Sequence, residues 1–199
     1  MTVIETDRIA MADESNERDE RTLDAMFEAL EKMPVPEGIK VEIVEGNIFM
    51  SPQRDTHWQI TLDVIQQLSA KYPIERIKSD VRFDFPGHLN GFACDVVALS
   101  EDAAMDSKGH WHYSDVEFIA EVISRKTAAN DYGPKKVAYA VAEVPVYVIA
   151  NPYTGRCHVY TQPKGSEYTD EAMVTFGAEI DLTHTVVGLP LKTAEFPRD

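Results

Sequence analysis

The chain has 199 residues with 34 Asp and Glu against 19 Lys and Arg, which gives a formal net charge of −15. This length suffices for one domain with a proper core, and the acidity argues against strong non-specific nucleic-acid binding, because phosphates are repelled at long range. There is no apolar run of about 18 residues or more, and the polar N-terminus lacks the basic start and apolar core of a signal peptide, so we expect no membrane segment and a cytoplasmic protein.

The N-terminal part predicts a tail, a helix and a hairpin. Residues 1–18 are expected to form a flexible acidic tail, and residues 17–33 have apolar side chains at helical spacing. Residues 39–52 predict a β-hairpin, since two β-rich runs flank the turn residues Gly46-Asn47. An apolar stripe predicts a second helix over residues 55–72.

Strands dominate the rest of the chain. Strand-like segments lie at residues 76–85, 91–100, 116–124, 144–151 and 156–163, with weaker ones near 166–182. One helix is predicted over residues 132–143, where Pro134 fits the first turn. We therefore expect residues 19–192 to form a single α/β domain with a mixed sheet and helices on its faces, followed by a C-terminal tail at 193–199.

Two carboxylates interrupt strands that are otherwise apolar. Because strand side chains alternate, Asp95 shares a face with Val97 and Leu99, and Glu121 shares one with the isoleucines on either side of it. A buried ionised carboxylate is costly unless it is paired or bound to a metal. A nearby Lys or Arg could neutralise each acid, but one hard divalent cation such as Mg²⁺ would account for both, and we favour this interpretation.

Lys135 falls in the first turn of the predicted helix, where the helix dipole disfavours a cation. This position indicates a role other than stability. The alternative is an i,i+4 ion pair with Asp131, which would be surface chemistry of small value. Spacing alone favours neither interpretation.

Four segments follow one another along the chain: "VEIVEGNIFMSP" with a later His, "CDVVALS", "EVIS" followed by D-x-x-x-K-x-x-x-Y, and "VPVYVIANP". No single segment is specific, but the ordered set resembles the putative restriction endonuclease family of the PD-(D/E)XK nuclease superfamily. The resemblance runs from about residue 35 to residue 165.

The resemblance implies a restriction-endonuclease-like fold, with a mixed central sheet flanked by helices and an N-terminal helix and hairpin. It also implies Mg²⁺-dependent hydrolysis of DNA, with Mn²⁺ as a substitute ion. Asp95 matches the Asp of the PD motif, Glu121 the acid of the (D/E)XK motif, and Glu42 an acid from the N-terminal part of the site. Lys135 matches a lysine that has migrated from the strand to the next helix, and Tyr139 the aromatic residue of that helix.

The implied metal ligands are Asp95 and Glu121, with a backbone carbonyl near Val122 and with Glu42 directly or through water. Lys135 would position or activate the attacking water, or pair with the scissile phosphate.

The sequence also departs from the family pattern. Cys94 stands where the PD motif has proline, Ile123 stands where the superfamily has lysine, and Arg125–Thr127 replaces a common Pro-Ser-Thr. Lys126 is therefore a rival for the lysine role. His57, at the start of the second helix, is an accessory candidate.

Two functions follow from these observations. The first is a Mg²⁺-dependent endonuclease acting on DNA. The alternative is a catalytically weak or inactive nuclease-fold protein that acts as a protein-interaction module. A basic rim around the two acids would favour the enzyme, whereas an acidic rim or a cleft filled by side chains would favour the module. A homodimer could supply positive groups from a second copy.

Overall fold

The computed structural model describes residues 4–34 and 38–199, with side chains from residue 18 onward. The helices are α1 (Ile4–Glu31), α2 (Asp55–Leu68), α3 (Ala128–Tyr132) and α4 (Pro134–Val141). The strands are β1 (Ile39–Val44), β2 (Asn47–Pro52), β3 (Ile77–Lys78), β4 (Arg82–Phe85), β5 (Asn90–Ala93), β6 (Val96–Leu99), β7 (Val116–Val122), β8 (Val146–Asn151), β9 (Arg156–Lys164), β10 (Glu167–Thr175), β11 (Glu179–Asp181) and β12 (Pro190–Lys192).

The largest sheet has six strands in the order β10-β9-β8-β7-β6-β3. Its β7 and β8 are parallel and its other pairs are antiparallel, so the predicted mixed sheet is confirmed. Helix α2 packs its apolar stripe into the core on one face of this sheet. Helix α4 packs into the core on the other face. The expected α/β architecture with helices on both sides is therefore present.

A second sheet has four strands in the order β2-β1-β5-β4. Its β1–β2 hairpin is the predicted one, but the turn lies one residue earlier than the predicted Gly46-Asn47: the two loop residues are Glu45 and Gly46, with φ of 48° and 74°, and Asn47 already pairs with Val44. Positive φ at both positions suits the right-handed twist of a hairpin. The hairpin carries the N-terminal candidate residue Glu42 towards the large sheet.

Helix α1 is longer than the sequence predicts. It begins at Ile4, so it includes most of the segment expected to be a flexible tail; residues 1–3 lie outside the described part. Residues 4–31 contain neither Gly nor Pro, so nothing in the backbone chemistry stops the helix there. Its apolar stripe packs on the four-stranded sheet, and a Cβ at Gly91 would lie 2.5 Å from Phe27 Cε2.

Two predicted strands are each broken in two. The segment 91–100 divides at Cys94 and Asp95, with β5 in the small sheet and β6 in the large one. The segment 76–85 divides likewise at Asp80, whose φ is 54°. A nearly continuous apolar pattern hid the first break, because both halves of the segment 91–100 are buried, each in its own sheet. Asp95 consequently lies at the junction of the two sheets.

The C-terminal segment also differs from the expectation of a tail. Thr193 and Phe196 are buried, and the ring of Phe196 meets that of Phe176 edge-on. An aromatic side chain gains enough from burial to hold such a segment in place. Within residues 4–34 and 38–199, no helix is both long and apolar enough to cross a membrane.

Candidate active site

Asp95 and Glu121 are direct neighbours across the β6–β7 ladder. The backbone N–H of Asp95 donates to Glu121 Oε2 at 3.3 Å, and the backbone N–H of Val122 donates to Asp95 Oδ2 at 2.7 Å. The two carboxylates have side-chain exposures of only 1% and 2%. The sequence predicted both acids on strands; Glu121 lies on β7, whereas Asp95 lies in the break between β5 and β6. The N–H of Val122 has a role in this arrangement, and the predicted role of its carbonyl stays a prediction.

Glu42 joins this pair from β1. Its Oε1 accepts a hydrogen bond from the backbone N–H of Ala93 at 3.1 Å, which ties the hairpin to the end of β5 next to Asp95. Its side chain is 12% exposed. Three carboxylates, from β1, from β7 and from the break between β5 and β6, therefore converge at the junction of the two sheets.

Lys135 reaches the acids from the first turn of α4. Its Nζ lies 2.6 Å from Glu121 Oε1, 2.9 Å from Glu42 Oε1 and 3.2 Å from Asp131 Oδ1, with the side chain 1% exposed. The i,i+4 pair with Asp131 thus exists, but it is buried and shared with two other acids. Lys126 is exposed, so Lys135 is the one of these two lysines that contacts the acids.

Tyr139 lies one turn after Lys135 on the same helix face. Its hydroxyl donates to Glu121 Oε1 at 2.7 Å and lies 3.2 Å from Cys94 Sγ. Burial raises the pKa of the Cys94 thiol well above its ordinary value, so Cys94 acts as a small neutral core residue. The predicted aromatic neighbour therefore orients the carboxylate of Glu121.

Lys40 is a member of the cluster that sequence reasoning missed. Its Nζ lies 2.7 Å from Asp95 Oδ1, 3.5 Å from Glu121 Oε2 and 3.7 Å from Glu42 Oε1. A signal was present, because residues two apart on a strand share a face and Lys40 is two residues before Glu42. The idea that Lys or Arg neutralises the acids is therefore also realised, by Lys40 and Lys135.

His57 lies at the start of α2 with its side chain 14% exposed. Its Nε2 is 2.9 Å from Asp95 Oδ1, close enough for a charge contact, although the angle is poor for a hydrogen bond. Burial lowers the pKa of His57, but Asp95 outweighs it and the pKa is raised overall. His57 is thus a neighbour of the site, as the sequence suggested.

We call these residues the buried cluster: Lys40, Glu42, His57, Asp95, Glu121, Asp131 and Lys135. It contains four carboxylates but only two ammonium groups.

The two central acids differ in their pKa. Burial raises the pKa of Asp95, but Lys40 and His57 outweigh this and hold it well below its ordinary value. Burial raises the pKa of Glu121 overall, in spite of Lys135 and Lys40. One of the two acids is thus firmly ionised while its neighbour holds a proton more readily.

The donor set suits a hard divalent cation. Mg²⁺ prefers carboxylate oxygens and keeps several waters, and Asp95, Glu121 and Glu42 each place an oxygen within 3.7 Å of the Lys40 ammonium. With all four carboxylates ionised and His57 neutral, the cluster carries two more negative than positive charges, and a dication would offset this difference.

Another acidic group lies elsewhere on the surface. Asp24, Asp84 and His110 have ligand atoms within 4.8 Å of one another. Arg82 Nη2 lies 2.8 Å from Asp24 and 2.6 Å from Asp84, and Lys108 Nζ lies 3.2 Å from Asp24. We call these five residues the surface cluster; its two carboxylates are matched by two permanent cations.

Comparison with known proteins agrees with the geometry. A family model described as Uma2, "Putative restriction endonuclease", matches residues 27–194. The chain is also similar to the crystal structure of a putative nuclease belonging to DUF820 from Anabaena variabilis ATCC 29413, with a TM-score of 0.67 and 14% identity over 87% of this chain and 96% of that one. At this identity the likeness shows a shared fold. Comparison with curated proteins found no match.

The family match covers most of the chain. It spans every residue of the buried cluster, from the hairpin to helix α4. The chain therefore belongs to the putative restriction endonuclease family.

Proposed function

We propose that the protein is a divalent-metal-dependent endonuclease that hydrolyses phosphodiester bonds of DNA, with Mg²⁺ as the ion and Mn²⁺ as a substitute. The observation that carries this proposal is the convergence of Asp95, Glu121 and Glu42 with Lys135 at one junction of two sheets. Burial of so many ionised groups is costly for stability. Such a cost is expected where the groups serve chemistry.

Asp95 and Glu121 would hold the ion, with Glu42 directly or through water and with the carbonyl of Val122 as the backbone ligand. When bound, the ion lowers the pKa of a coordinated water and offsets charge on the phosphate. Lys135 is held by three carboxylates, and burial alone would lower its pKa, yet these acids keep the pKa well above its ordinary value. Its ammonium therefore stays charged, which suits it to position the attacking water or contact the scissile phosphate.

The three accessory candidates, Tyr139, His57 and Lys126, would have supporting roles. Tyr139 orients the carboxylate of Glu121 through its hydroxyl. His57 is a partly exposed neighbour of Asp95 Oδ1, from which it could contact a phosphate or a water at the rim. Lys126 would act on the surface, as part of the path that brings DNA to the site.

A small basic rim beside the site supports a DNA substrate. A recess next to His57 is lined in part by Arg54, Ser124 and Tyr153. Arg54 Nη1 donates to Tyr153 Oη at 3.4 Å, and the guanidinium of Arg125 lies 4.5 Å from the centroid of the Tyr153 ring. Arg54 also lies 3.5 Å from Asp199, which offsets part of its charge. An aromatic ring between two arginines suits a phosphate backbone and an unstacked base.

One observation favours the alternative of a protein-interaction module without strong catalysis. Lys40 fills the space among the three carboxylates, so the site is occupied by the protein's own side chain. An enzyme must empty that space for its metal, whereas a module need not.

Plasmid cleavage tests the proposal. Purified protein is incubated with supercoiled plasmid and with single-stranded DNA, each with Mg²⁺, Mn²⁺ or EDTA. We expect metal-dependent nicking or cleavage by the wild type and no cleavage above background by Glu121→Gln, which keeps the shape of the side chain. The matched control is Asp24→Asn in the surface cluster, which should cleave like the wild type. Equal activity of wild type and Glu121→Gln would overturn the proposal, since it would identify a contaminant.

The cellular setting and assembly remain predictions. A cytoplasmic location is part of the proposal. A homodimer is expected to add positive groups from a second copy, and sedimentation velocity at micromolar concentration would measure the mass directly.

A further inference from the structure

The ammonium of Lys40 is surrounded by the carboxylates that are candidate metal ligands. It contacts Asp95 Oδ1 at 2.7 Å and lies within 3.7 Å of oxygens from Glu121 and Glu42. A single cation among three carboxylates has the surroundings expected of a bound metal ion. Lys40 thus occupies the position that the ion of the proposed function would need.

The other oxygens of the central pair are already held by protein donors. Asp95 Oδ2 accepts the N–H of Val122, and Glu121 Oε1 accepts the hydroxyl of Tyr139 and contacts Lys135. The second oxygen of each acid, Asp95 Oδ1 or Glu121 Oε2, contacts the Lys40 ammonium. Asp95 Oδ1 also lies 2.9 Å from His57 Nε2, and Glu121 Oε2 accepts the backbone N–H of Asp95 at 3.3 Å. Lys40 is therefore the lysine that joins the second oxygens of both acids.

The two lysines of the cluster differ in how firmly they are held. The Lys135 side chain is 1% exposed and extends from the first turn of α4. The Lys40 side chain is 6% exposed and lies near His57 and Glu42, which are the more exposed members of the buried cluster. Lys40 is therefore the less deeply buried of the two lysines. Its flexible four-carbon stem allows the ammonium to withdraw while the strand stays in place.

We propose that Lys40 is a resident counter-ion of the metal-free site, and that a divalent cation binds by displacing its ammonium from Asp95 and Glu121. This inference rests on the proposed function, because it assumes that the ion binds at these carboxylates. Two consequences follow for the protein. Lys40 lowers the affinity of the site for the metal, and it keeps the acids paired when the ion is absent. In the metal-bound state the freed ammonium would lie beside the site, where a substrate phosphate could replace the carboxylates as its ion-pair partner.

Calorimetric titration with Mn²⁺ and Mg²⁺ tests the competition. We expect Lys40→Met to bind Mn²⁺ at least about tenfold more tightly than the wild type, because a competing charge about 3 Å from the ligand oxygens has been removed. Lys126→Met changes the net charge equally at an exposed position and should bind like the wild type. Lys40→Arg keeps the charge and should show no tightening. Unchanged or weaker binding by Lys40→Met would overturn the inference.

A second measurement uses the wild-type protein, in case Lys40→Met folds poorly. The side-chain ¹⁵Nζ resonances of Lys40 and Lys135 are followed by NMR while Mg²⁺ is added, with Lys40→Arg for assignment. We expect the Lys40 signal to shift to that of a hydrated ammonium at saturation while Lys135 keeps its ion-pair signal. A Lys40 signal that stays unchanged at saturating Mg²⁺ would contradict displacement.

The outcomes separate the two proposals. If the wild type and Lys40→Met bind the metal equally well, the metal site stands and the role of Lys40 fails. If neither binds Mg²⁺ or Mn²⁺, the proposed function fails together with the inference.

Discussion

The buried cluster and the surface cluster are built from similar residues but differ in two respects. In the surface cluster Asp24 and Asp84 are 30% and 28% exposed, and Arg82 and Lys108 match them in charge. In the buried cluster Asp95, Glu121 and Lys135 are at most 2% exposed, and carboxylates outnumber ammonium groups. Proximity of acids is thus a poor guide to chemistry. Burial together with an unbalanced charge is the better guide.

The largest expected effect separates the clusters by stability. Lys135→Met removes the ammonium shared by Glu121, Glu42 and Asp131, and we expect a loss of about 3–5 kcal/mol in the free energy of unfolding, because buried charges lose their partner. Lys108→Met removes an exposed cation of the surface cluster and should leave the unfolding midpoint close to that of the wild type. Urea denaturation measures the free energy of unfolding of both variants. Equal losses would contradict the expected difference in stability between the two clusters.

Metal binding should distinguish the clusters next. At Mn²⁺ about a hundredfold above its dissociation constant, the free energy of unfolding should rise by about 2.7 kcal/mol. Asp95→Asn should abolish this gain, whereas Asp24→Asn should keep it. Thermal unfolding with and without Mn²⁺ measures the gain. If Asp24→Asn lost this gain instead, the metal site would have to be assigned to the surface cluster.

The pH dependence should have opposite signs in the two clusters. Burial raises the pKa of Asp131 to about 7 in spite of Lys135. Between its ordinary value and about 7 the folded state therefore binds more protons than the unfolded state, so the contribution of Asp131 to stability falls as pH rises, by at most about 1.4 kcal/mol per unit. The free energy of unfolding of the wild type minus that of Asp131→Asn should decrease from pH 5 to about pH 7.

Asp24 is the contrasting case. Burial raises its pKa, but Arg82 and Lys108 together outweigh this and lower the pKa overall. Its contribution is therefore present above the ordinary carboxyl pKa and is lost as pH falls through the lowered one. Asp24→Asn should consequently differ from the wild type near neutral pH and converge with it in acid. Denaturation series at matched pH values measure both variants, and equal slopes would contradict the contrast.

The smallest expected effect is the salt dependence of the surface cluster. Asp24→Asn should cost at most about 1 kcal/mol, since it breaks partly exposed ion pairs. This cost should disappear near 1 M NaCl, where the Debye length is about 3 Å. The cost of Lys135→Met should persist in the same salt, because buried pairs are screened much less. Urea titrations at low and high salt test this, and a salt-sensitive Lys135→Met would count against burial of its pairs.

Local patterns predicted the parts of the fold whose signals lie within one element. Alternation identified β7 with Glu121 on its apolar face, and Pro134 marked the start of the helix that carries Lys135. The division of the segment 91–100 could not be predicted, since Cys94 and Asp95 carry no turn signal and both halves are apolar. It depends on which sheet each half joins, which is a tertiary property.

The candidate site was only partly accessible to sequence reasoning. Alternation identified Asp95 and Glu121, and the helix dipole drew attention to Lys135 without deciding its role. Glu42 required the family resemblance, because its contact with Lys135 spans more than ninety residues and leaves no local pattern. Lys40 was missed although it lies two residues before Glu42. A lysine on a half-exposed hairpin ordinarily points to solvent, and only the opposing sheet encloses this one.

The separation of the cluster along the chain bears on when the site can exist during folding. Lys40 is 55 residues from Asp95, and Glu42 is 93 residues from Lys135. Contacts between residues so far apart in the sequence form late in folding, because closing the long loops between them costs conformational entropy before the contacts stabilise the chain. The nascent chain therefore cannot assemble the cluster until α4 has docked. A local opening of either the hairpin or α4 would dismantle the cluster, so hydrogen exchange of the Val122 amide should report the integrity of the whole domain.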